Sequence, residues 1–184
     1  PFNEVLQQSF IPINVSASDV GLGDGNVSVF IDFNNSLVGW WRMDDLCNGG
    51  TEVCDNSSYN HPGIFRGGMD SSNIVDGKIG KAMEFSQATG DYIEIKDFMS
   101  MAPTSEITIS VWAYVNTGDT RNSIIRSSLT GANQRINVQL YDGRLIWDFG
   151  SSSGGGRLEH DYGDVANYPY DSWQHFVFVS SASG

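Results

Sequence analysis

Short segments in which apolar and polar residues alternate recur along this chain, and they restrict its fold more than any other feature. The clearest is ITISVWAYV, residues 107–115, in which the aliphatic residues share one face while Trp112 and Tyr114 belong to the other. A period of two is that of a β-strand, because successive side chains point to opposite sides of a sheet. We find no segment with the apolar period of a helix. The sequence therefore predicts an all-β protein.

Clusters of Gly, Asn, Asp and Ser separate these segments and mark the turns. The dipeptide Asp142-Gly143 lies between two alternating runs in LYDGRLIWDF, which predicts a tight hairpin because such a turn needs residues that tolerate positive φ. The Ser/Gly stretch 151–156 predicts a loop. The predicted strands are Ile11–Ser16, Val27–Asp32, Leu37–Met43, Ala82–Ser86, Tyr92–Ile95, Ile107–Val115, Ser123–Ser127, Ile136–Tyr141, Leu145–Phe149 and Trp173–Val179.

Charge and length exclude several classes of protein. The chain has 184 residues, and 10 Lys and Arg against 22 Asp and Glu give a net charge of −12. This charge opposes the electrostatic capture of nucleic acid or of an anionic membrane surface. No apolar run approaches the roughly 20 residues that span a bilayer. We therefore expect a folded domain that neither binds nucleic acid nor inserts into a membrane.

The cysteines and sequons bear on the compartment. Cys47 and Cys54 enclose the Gly/Asn-rich loop CNGGTEVC, with no second cysteine pair or histidine couple nearby to complete a zinc site. A disulfide that closes this loop is the favoured interpretation, and two free thiols are the alternative. Disulfides and N-glycans both belong to secreted proteins, so the sequence predicts an extracellular or cell-surface location. The candidate glycosylation sites are the N-x-S/T asparagines Asn14, Asn26, Asn34 and Asn56.

Six motifs follow one another between Leu37 and about Val179. They read LVGWWRMDD, DNSSYNHPGIF, GKIGKAMEFSQATGDYIEI, ITISVWAYV, LYDGRLIWDF and SWQHFVFV. In this order they resemble the laminin G-like, concanavalin A-like jelly roll, which implies a two-layer antiparallel β-sandwich. Large aromatic side chains are then expected to fill the space between the layers, with ligand stacking as the alternative role. These aromatic residues are Trp41, Phe85, Trp112 and Trp173.

The resemblance also divides the chain. Residues 37–184 are expected to form the jelly roll, and residues 1–36 a short N-terminal β segment or linker from a preceding module. In the related jelly rolls further strands follow the W-x-H strand, so we expect an incomplete sandwich or a piece of a longer protein. An incomplete sandwich exposes a sheet edge, which predicts contact with another copy or with the rest of the parent protein.

A structural calcium ion is the cofactor that the resemblance implies. In the related family calcium commonly lies near the loop that reads DNSSYNHPG here and the strand that reads GDYIEI. The implied ligands are Asp55 and Asp91, with Asn60 as a weaker candidate. Clustered Asp and Asn beside Gly-rich turns also suit a hard cation. The alternative is that Asp55 and Asp91 cap turns.

Catalysis has little support in the sequence. Some related sandwiches are glycosidases whose carboxylates alternate along one strand as E-x-D-x-E, and the chain has no such run. Glu94 and Asp97 have an odd spacing that places them on opposite faces of a strand, and Asp44 and Asp45 are adjacent. No G-x-S-x-G motif is present. The histidines are scattered and support no nucleophilic triad; they are His61, His160 and His175.

The sequence thus predicts a non-catalytic recognition or adhesion module that binds a glycan or a protein, through residues that it does not identify. This prediction rests largely on the resemblance, because jelly rolls of this kind differ in what they bind. A structural or filament-forming subunit that assembles through β-edge contacts is the alternative. A glycoside hydrolase is the third and weakest hypothesis.

Overall fold

The computed structural model describes residues 36–98, 106–117, 121–127, 136–141, 143–149, 157–163, 167–168 and 170–180. The chain divides into two compact units, residues 1–36 and 37–184. All elements described below belong to the second unit. The predicted strands Ile11–Ser16 and Val27–Asp32 lie outside the described residues.

The described part of the chain consists of strands and turns, which confirms the all-β prediction. It contains no helix of seven or more residues, and Ser71–Asn73 forms a 3-10 turn. The strands are β1 (Leu46–Cys47), β2 (Glu52–Val53), β3 (Gly63–Arg66), β4 (Ile74–Asp76), β5 (Lys81–Met83), β6 (Tyr92–Ile95), β7 (Ile107–Tyr114), β8 (Arg121–Arg126), β9 (Ile136–Tyr141), β10 (Arg144–Phe149), β11 (Arg157–Asp161) and β12 (Trp173–Ser180).

Antiparallel pairing joins these strands into sheets. One four-stranded sheet has the order β1-β2-β3-β6 and another the order β11-β10-β9-β8, while β7 pairs with β12 and β4 with β5. The inner faces of β7–β12 and of the β8–β11 sheet share the larger hydrophobic core, where Trp147 and Phe178 lie with ring centroids 5.5 Å apart. This layering is consistent with the predicted jelly-roll sandwich. The buried core residues are Ile107, Val115, Ile136, Val138, Leu140, Trp147, Tyr168, Phe176 and Phe178.

A smaller core lies beside the β1-β2-β3-β6 sheet. Its buried members are Val53, Phe65 and Met83. Trp41 packs against this cluster and Phe98 against the larger one, and their ring centroids are 5.8 Å apart. The two hydrophobic clusters are therefore connected through an aromatic contact.

Several strand predictions are confirmed closely. β6 and β9 have the predicted bounds, Tyr92–Ile95 and Ile136–Tyr141. The innermost pair of the β9–β10 hairpin is Tyr141 with Arg144, so two residues form its turn, and Gly143 has a φ of 77°. The hairpin at Asp142-Gly143 is confirmed.

One strand prediction, Leu37–Met43, is wrong, and some strands were not predicted. Residues 37–43 are irregular rather than a strand, because hydrogen bonds to loop groups hold this segment instead of a ladder. Strand β11, Arg157–Asp161, was not predicted, because all its side chains are exposed at the edge of a sheet and leave no apolar alternation. Strand β3, Gly63–Arg66, begins with a glycine and is too short to show a period.

The expectation that all four aromatic residues fill the interior is also wrong. Phe85 is 51% exposed and Trp112 is 40% exposed. Trp41 and Trp173 are half-buried, and Trp173 meets Tyr114 edge to face at 5.7 Å between centroids. The reason at Trp112 is its register, since alternate residues of β7 face the core and Trp112 lies on the other side.

Candidate functional site

The disulfide loop is the first candidate feature that the structure places. Cys47 and Cys54 are bonded, with their Cα atoms 5.4 Å apart, which confirms the predicted pairing. Cys47 ends β1, and Cys54 directly follows β2, so the bond reinforces a two-strand hairpin. Among the sequons, Asn56 has an exposed side chain. Asn14, Asn26 and Asn34 lie outside the described residues.

Asp55 is an acceptor that organises its own loop. Its Oδ1 accepts from the backbone amides of Trp40 and Ser57, and its Oδ2 accepts from the Ser57 hydroxyl and the His61 amide, all at 2.8–2.9 Å. The residue is 8% exposed. Burial raises the pKa of Asp55, but these hydrogen bonds together outweigh burial and lower the pKa below its ordinary value.

Asp91 plays the same part in a second loop. Its Oδ1 accepts from the Gly68 amide, and its Oδ2 accepts from the Ser86 amide at 3.0 Å and from the Asn73 side chain at 3.5 Å. Hydrogen bonds, foremost that from the Thr89 hydroxyl, lower the pKa of Asp91. Asp91 therefore ties together the segments that follow β3 and β5.

The two carboxylates lie at opposite ends of β3. Asp55 accepts a hydrogen bond from the backbone amide of His61, two residues before the strand. Asp91 accepts one from the backbone amide of Gly68, two residues after the strand. A four-residue strand is about 10 Å long, whereas two oxygens on one calcium ion lie within about 5 Å of each other. The described residues also contain no group of three or more His, Cys, Asp or Glu side chains that could hold a metal.

A calcium ion shared by Asp55 and Asp91 does not fit this arrangement. Each carboxylate is directed at protein N–H and O–H groups, which is the turn-capping role that the sequence left open. Asn60, the third candidate ligand, is exposed in the Asp55 loop and has a φ of 55°.

An exposed surface that carries several aromatic side chains is formed by β7 and β12. Eight side chains of these strands face away from the larger core, and we call them the β7–β12 outer face. Trp112 is 40% exposed, Tyr114 43%, Val177 54% and Val179 60%. The eight residues form four cross-strand pairs, Thr108 with Val179, Ser110 with Val177, Trp112 with His175, and Tyr114 with Trp173.

Polar neighbours hold Trp112 in place. The His175 imidazole stacks on the indole with ring centroids 4.9 Å apart, and its Nε2 lies 2.9 Å from the Ser110 hydroxyl. Lys78, from the loop between β4 and β5, places its Nζ over the same indole, 5.9 Å from the ring centroid. Sequence reasoning did not single out Ser110 or Lys78, although both lie in the quoted motifs, because only strand pairing and chain reversal bring them to Trp112.

A comparison with protein families settles the relationship. Residues 87–184, just over half of the chain, match the laminin G model described as the concanavalin A-like lectin/glucanases superfamily. The chain belongs to this family. The search of curated proteins and the search of solved structures found no significant match.

Two of the carboxylates that sequence reasoning weighed for catalysis, Glu94 and Asp44, form ion pairs in this laminin G-like chain. Oε2 of Glu94 accepts from both Nη2 and Nε of Arg66, at 2.6 and 2.9 Å, in an ion pair. Asp44 pairs with Arg42 at 2.8 Å and accepts from the Lys81 amide at 2.6 Å. These contacts tie neighbouring segments together.

A buried polar network crosses three strands of the laminin G-like sheet. Arg157 on β11 donates two hydrogen bonds to the Asp148 carboxylate on β10, from Nε at 2.7 Å and from Nη2 at 3.0 Å. Asp148 also accepts from the Asn137 amide group on β9 at 3.1 Å. Asp148 and Asn137 are almost completely buried. The network fixes the register of an edge strand that has little apolar contact of its own.

The described residues include no helix long and apolar enough to cross a bilayer.

Proposed function

We propose that residues 37–184 form a non-catalytic recognition or adhesion module that binds an extracellular glycan or protein through the β7–β12 outer face. The exposed aromatic row of Trp112 and Tyr114, beside the half-buried Trp173, carries this proposal. Contiguous exposed apolar surface is uncommon unless it serves an interaction, and Trp and Tyr supply much of the energy of binding interfaces.

The disulfide and the family support an extracellular setting for the module. A closed disulfide between Cys47 and Cys54 persists in an oxidising compartment. Laminin G-like domains are typically extracellular. Both observations support secretion or display at a cell surface, where the exposed Asn56 is accessible for glycosylation.

Substitution of the aromatic row tests this proposal. The purified chain is applied to a glycan array and to immobilised extracellular-matrix proteins, beside the variant Trp112→Ala. The control variant is Tyr92→Ala, which removes an aromatic side chain of similar exposure, 54%, from β6. We expect Trp112→Ala to lose binding and Tyr92→Ala to keep it. Equal binding by both variants would assign recognition to another surface.

A structural subunit that assembles by strand pairing is the second candidate. Each of β7 and β12 has eight residues, and within the described chain each pairs with the other alone. Long strands with free edges are templates for intermolecular pairing. Sedimentation velocity over a range of concentrations tests this candidate, because assembly by edge pairing gives oligomers that grow with concentration.

A further inference from the structure

The surroundings of Trp112 bear on which kind of ligand the outer face accepts. A sugar ring stacks flat on the face of an aromatic ring, but the imidazole of His175 already stacks on the indole at an interplanar angle of 25°. The Lys78 ammonium lies near the same indole, with its Nζ 5.9 Å from the ring centroid. One face of Trp112 is therefore covered by a protein side chain and a cation lies near the ring, so this indole offers less flat surface to a sugar than an uncovered one would.

The rest of the outer face extends beyond the aromatic side chains. Val177 and Val179 continue the strip along β12 and are more than half exposed. Branched aliphatic side chains provide no flat surface for a sugar ring, but they gain about 25 cal/mol for each Å² that apolar protein surface covers. An apolar strip that contains Trp and Tyr and no acidic residue resembles the centre of a protein interface, where aromatic residues are enriched and charged residues depleted.

The charge of the outer face differs from that of the chain. None of its eight residues is acidic, although the chain has 22 Asp and Glu and a net charge of −12. Among the described residues, the ammonium of Lys78 is a positive charge that lies beside it. Complementary charges orient partners and select among them.

We propose that the ligand of the β7–β12 outer face is a protein segment that combines apolar side chains with a carboxylate. The apolar side chains cover Tyr114, Val177 and Val179, and the carboxylate pairs with Lys78 beside Trp112. This inference rests on the proposed function of the same face and replaces its two ligand classes with one.

A random-peptide phage library is the probe that tests this inference. The library is selected on the immobilised wild-type chain, and we expect the enriched peptides to combine apolar residues with Asp or Glu. Trp112→Ala should weaken their binding at least about tenfold, as expected for the centre of an interface. Lys78→Glu should change the selected peptides from acidic to basic. Tyr92→Ala and Lys96→Glu, an equal charge change at an exposed lysine of another loop, should bind as the wild type does.

Melting curves establish that each variant is folded. If Trp112→Ala is unfolded, Val177→Glu serves instead, because this side chain is 54% exposed and a carboxylate there repels an acidic partner. Failure to enrich any peptide, enriched peptides without acidic residues, and equal binding by Trp112→Ala each overturn the inference. A dimer that Val177→Glu dissociates also overturns it. Glycan binding that Trp112→Ala abolishes overturns the inference but leaves the proposed function standing. If Trp112→Ala binds glycans and peptides as the wild type does, both the inference and the proposed function are refuted.

Discussion

Asp55 shows at the scale of one residue how a polar side chain can organise a loop. Four donors from Trp40, Ser57 and His61 converge on its two oxygens in a site that is 8% exposed. Hydrogen bonds to an ionised acceptor stabilise more than neutral ones, and a buried donor that loses its acceptor is costly. The segment around Trp40 lacks the backbone hydrogen bonds of a strand pair, and hydrogen bonds to this carboxylate help to hold it instead.

We expect Asp55→Ala to lower the free energy of unfolding by about 2–3 kcal/mol, because it leaves buried N–H groups without an acceptor. Urea unfolding at neutral pH measures the change. Asp45→Ala is the control, since Asp45 is an exposed aspartate ten residues earlier in the chain. Equal stability of the two variants would show that the Asp55 contacts contribute nothing.

The lowered pKa of Asp55 gives the same variant a pH signature. The folded-state pKa lies below the ordinary value of 3.8, so the stabilisation is present above pH 3.8 and is lost as the pH falls through the folded-state pKa. Unfolding measured from pH 5 downwards should therefore show a smaller loss of stability in Asp55→Ala than in the wild type. Identical pH profiles would contradict this assignment.

At the scale of an element, β3 lies between β2 and β6 and depends on the glycine at its start. A Cβ atom at Gly63 would lie 2.4 Å from Cγ2 of Ile93 and 2.7 Å from Cγ2 of Val53, which is fully buried. The close approach of two branched side chains over the strand therefore requires a residue without a side chain.

We expect Gly63→Ala to destabilise the fold by roughly 1–3 kcal/mol, because overpacking forces the neighbouring side chains or the backbone to move. Thermal and urea unfolding measure the loss. Ser58→Ala, at an exposed position of the preceding loop, is the control and should unfold with the wild type. A Gly63→Ala variant as stable as the wild type would show that Ile93 and Val53 can move aside without lowering the free energy of unfolding.

The β1–β2 hairpin depends on its disulfide in a similar way. β1 and β2 have two residues each, and Cys47 pairs with Glu52 beside the bond to Cys54. We expect the double variant Cys47→Ser, Cys54→Ser to lose about 2–3 kcal/mol, the gain from closing a short loop in the unfolded chain. Mass spectrometry after alkylation without reductant checks the bond itself, and two alkylated cysteines in the native protein would contradict it.

At the scale of the whole second unit, two hydrophobic clusters meet through Trp41 and Phe98. Hydrogen bonds within the protein hold the loops at opposite ends of β3, because the carboxylate oxygens of Asp55 and Asp91 accept from amide and hydroxyl groups there. We therefore expect these loops to keep their structure without an ion at either carboxylate.

We accordingly expect the melting temperature to be the same in calcium and in chelator, and Asp91→Asn to change it equally in both. Scanning calorimetry in the two buffers is the measurement. A rise in melting temperature with calcium that Asp91→Asn abolishes would restore the metal-ligand role that the family resemblance implies for Asp91.

Local pattern determined much of this protein. Alternation identified β6, β7, β9, β10 and β12, the Asp142-Gly143 dipeptide identified a hairpin, and the spacing of Cys47 and Cys54 identified the disulfide, because each depends only on neighbouring residues. The order of the motifs identified the family.

Tertiary structure alone decided what lies at long range. Periodicity places Trp112 on the side of β7 opposite Ile109 and Val111, but only the arrangement of layers shows that this side is exposed and that Lys78 reaches it. The pairing of β3 with its neighbours places Asp55 and Asp91 at opposite ends of this strand, whereas the family resemblance implied that both bind one calcium ion. Strand β11 exists because its backbone pairs with β10, and such pairing leaves no mark on exposed side chains. Sequence pattern records the two sides of a strand, whereas partners across space depend on how the whole chain packs.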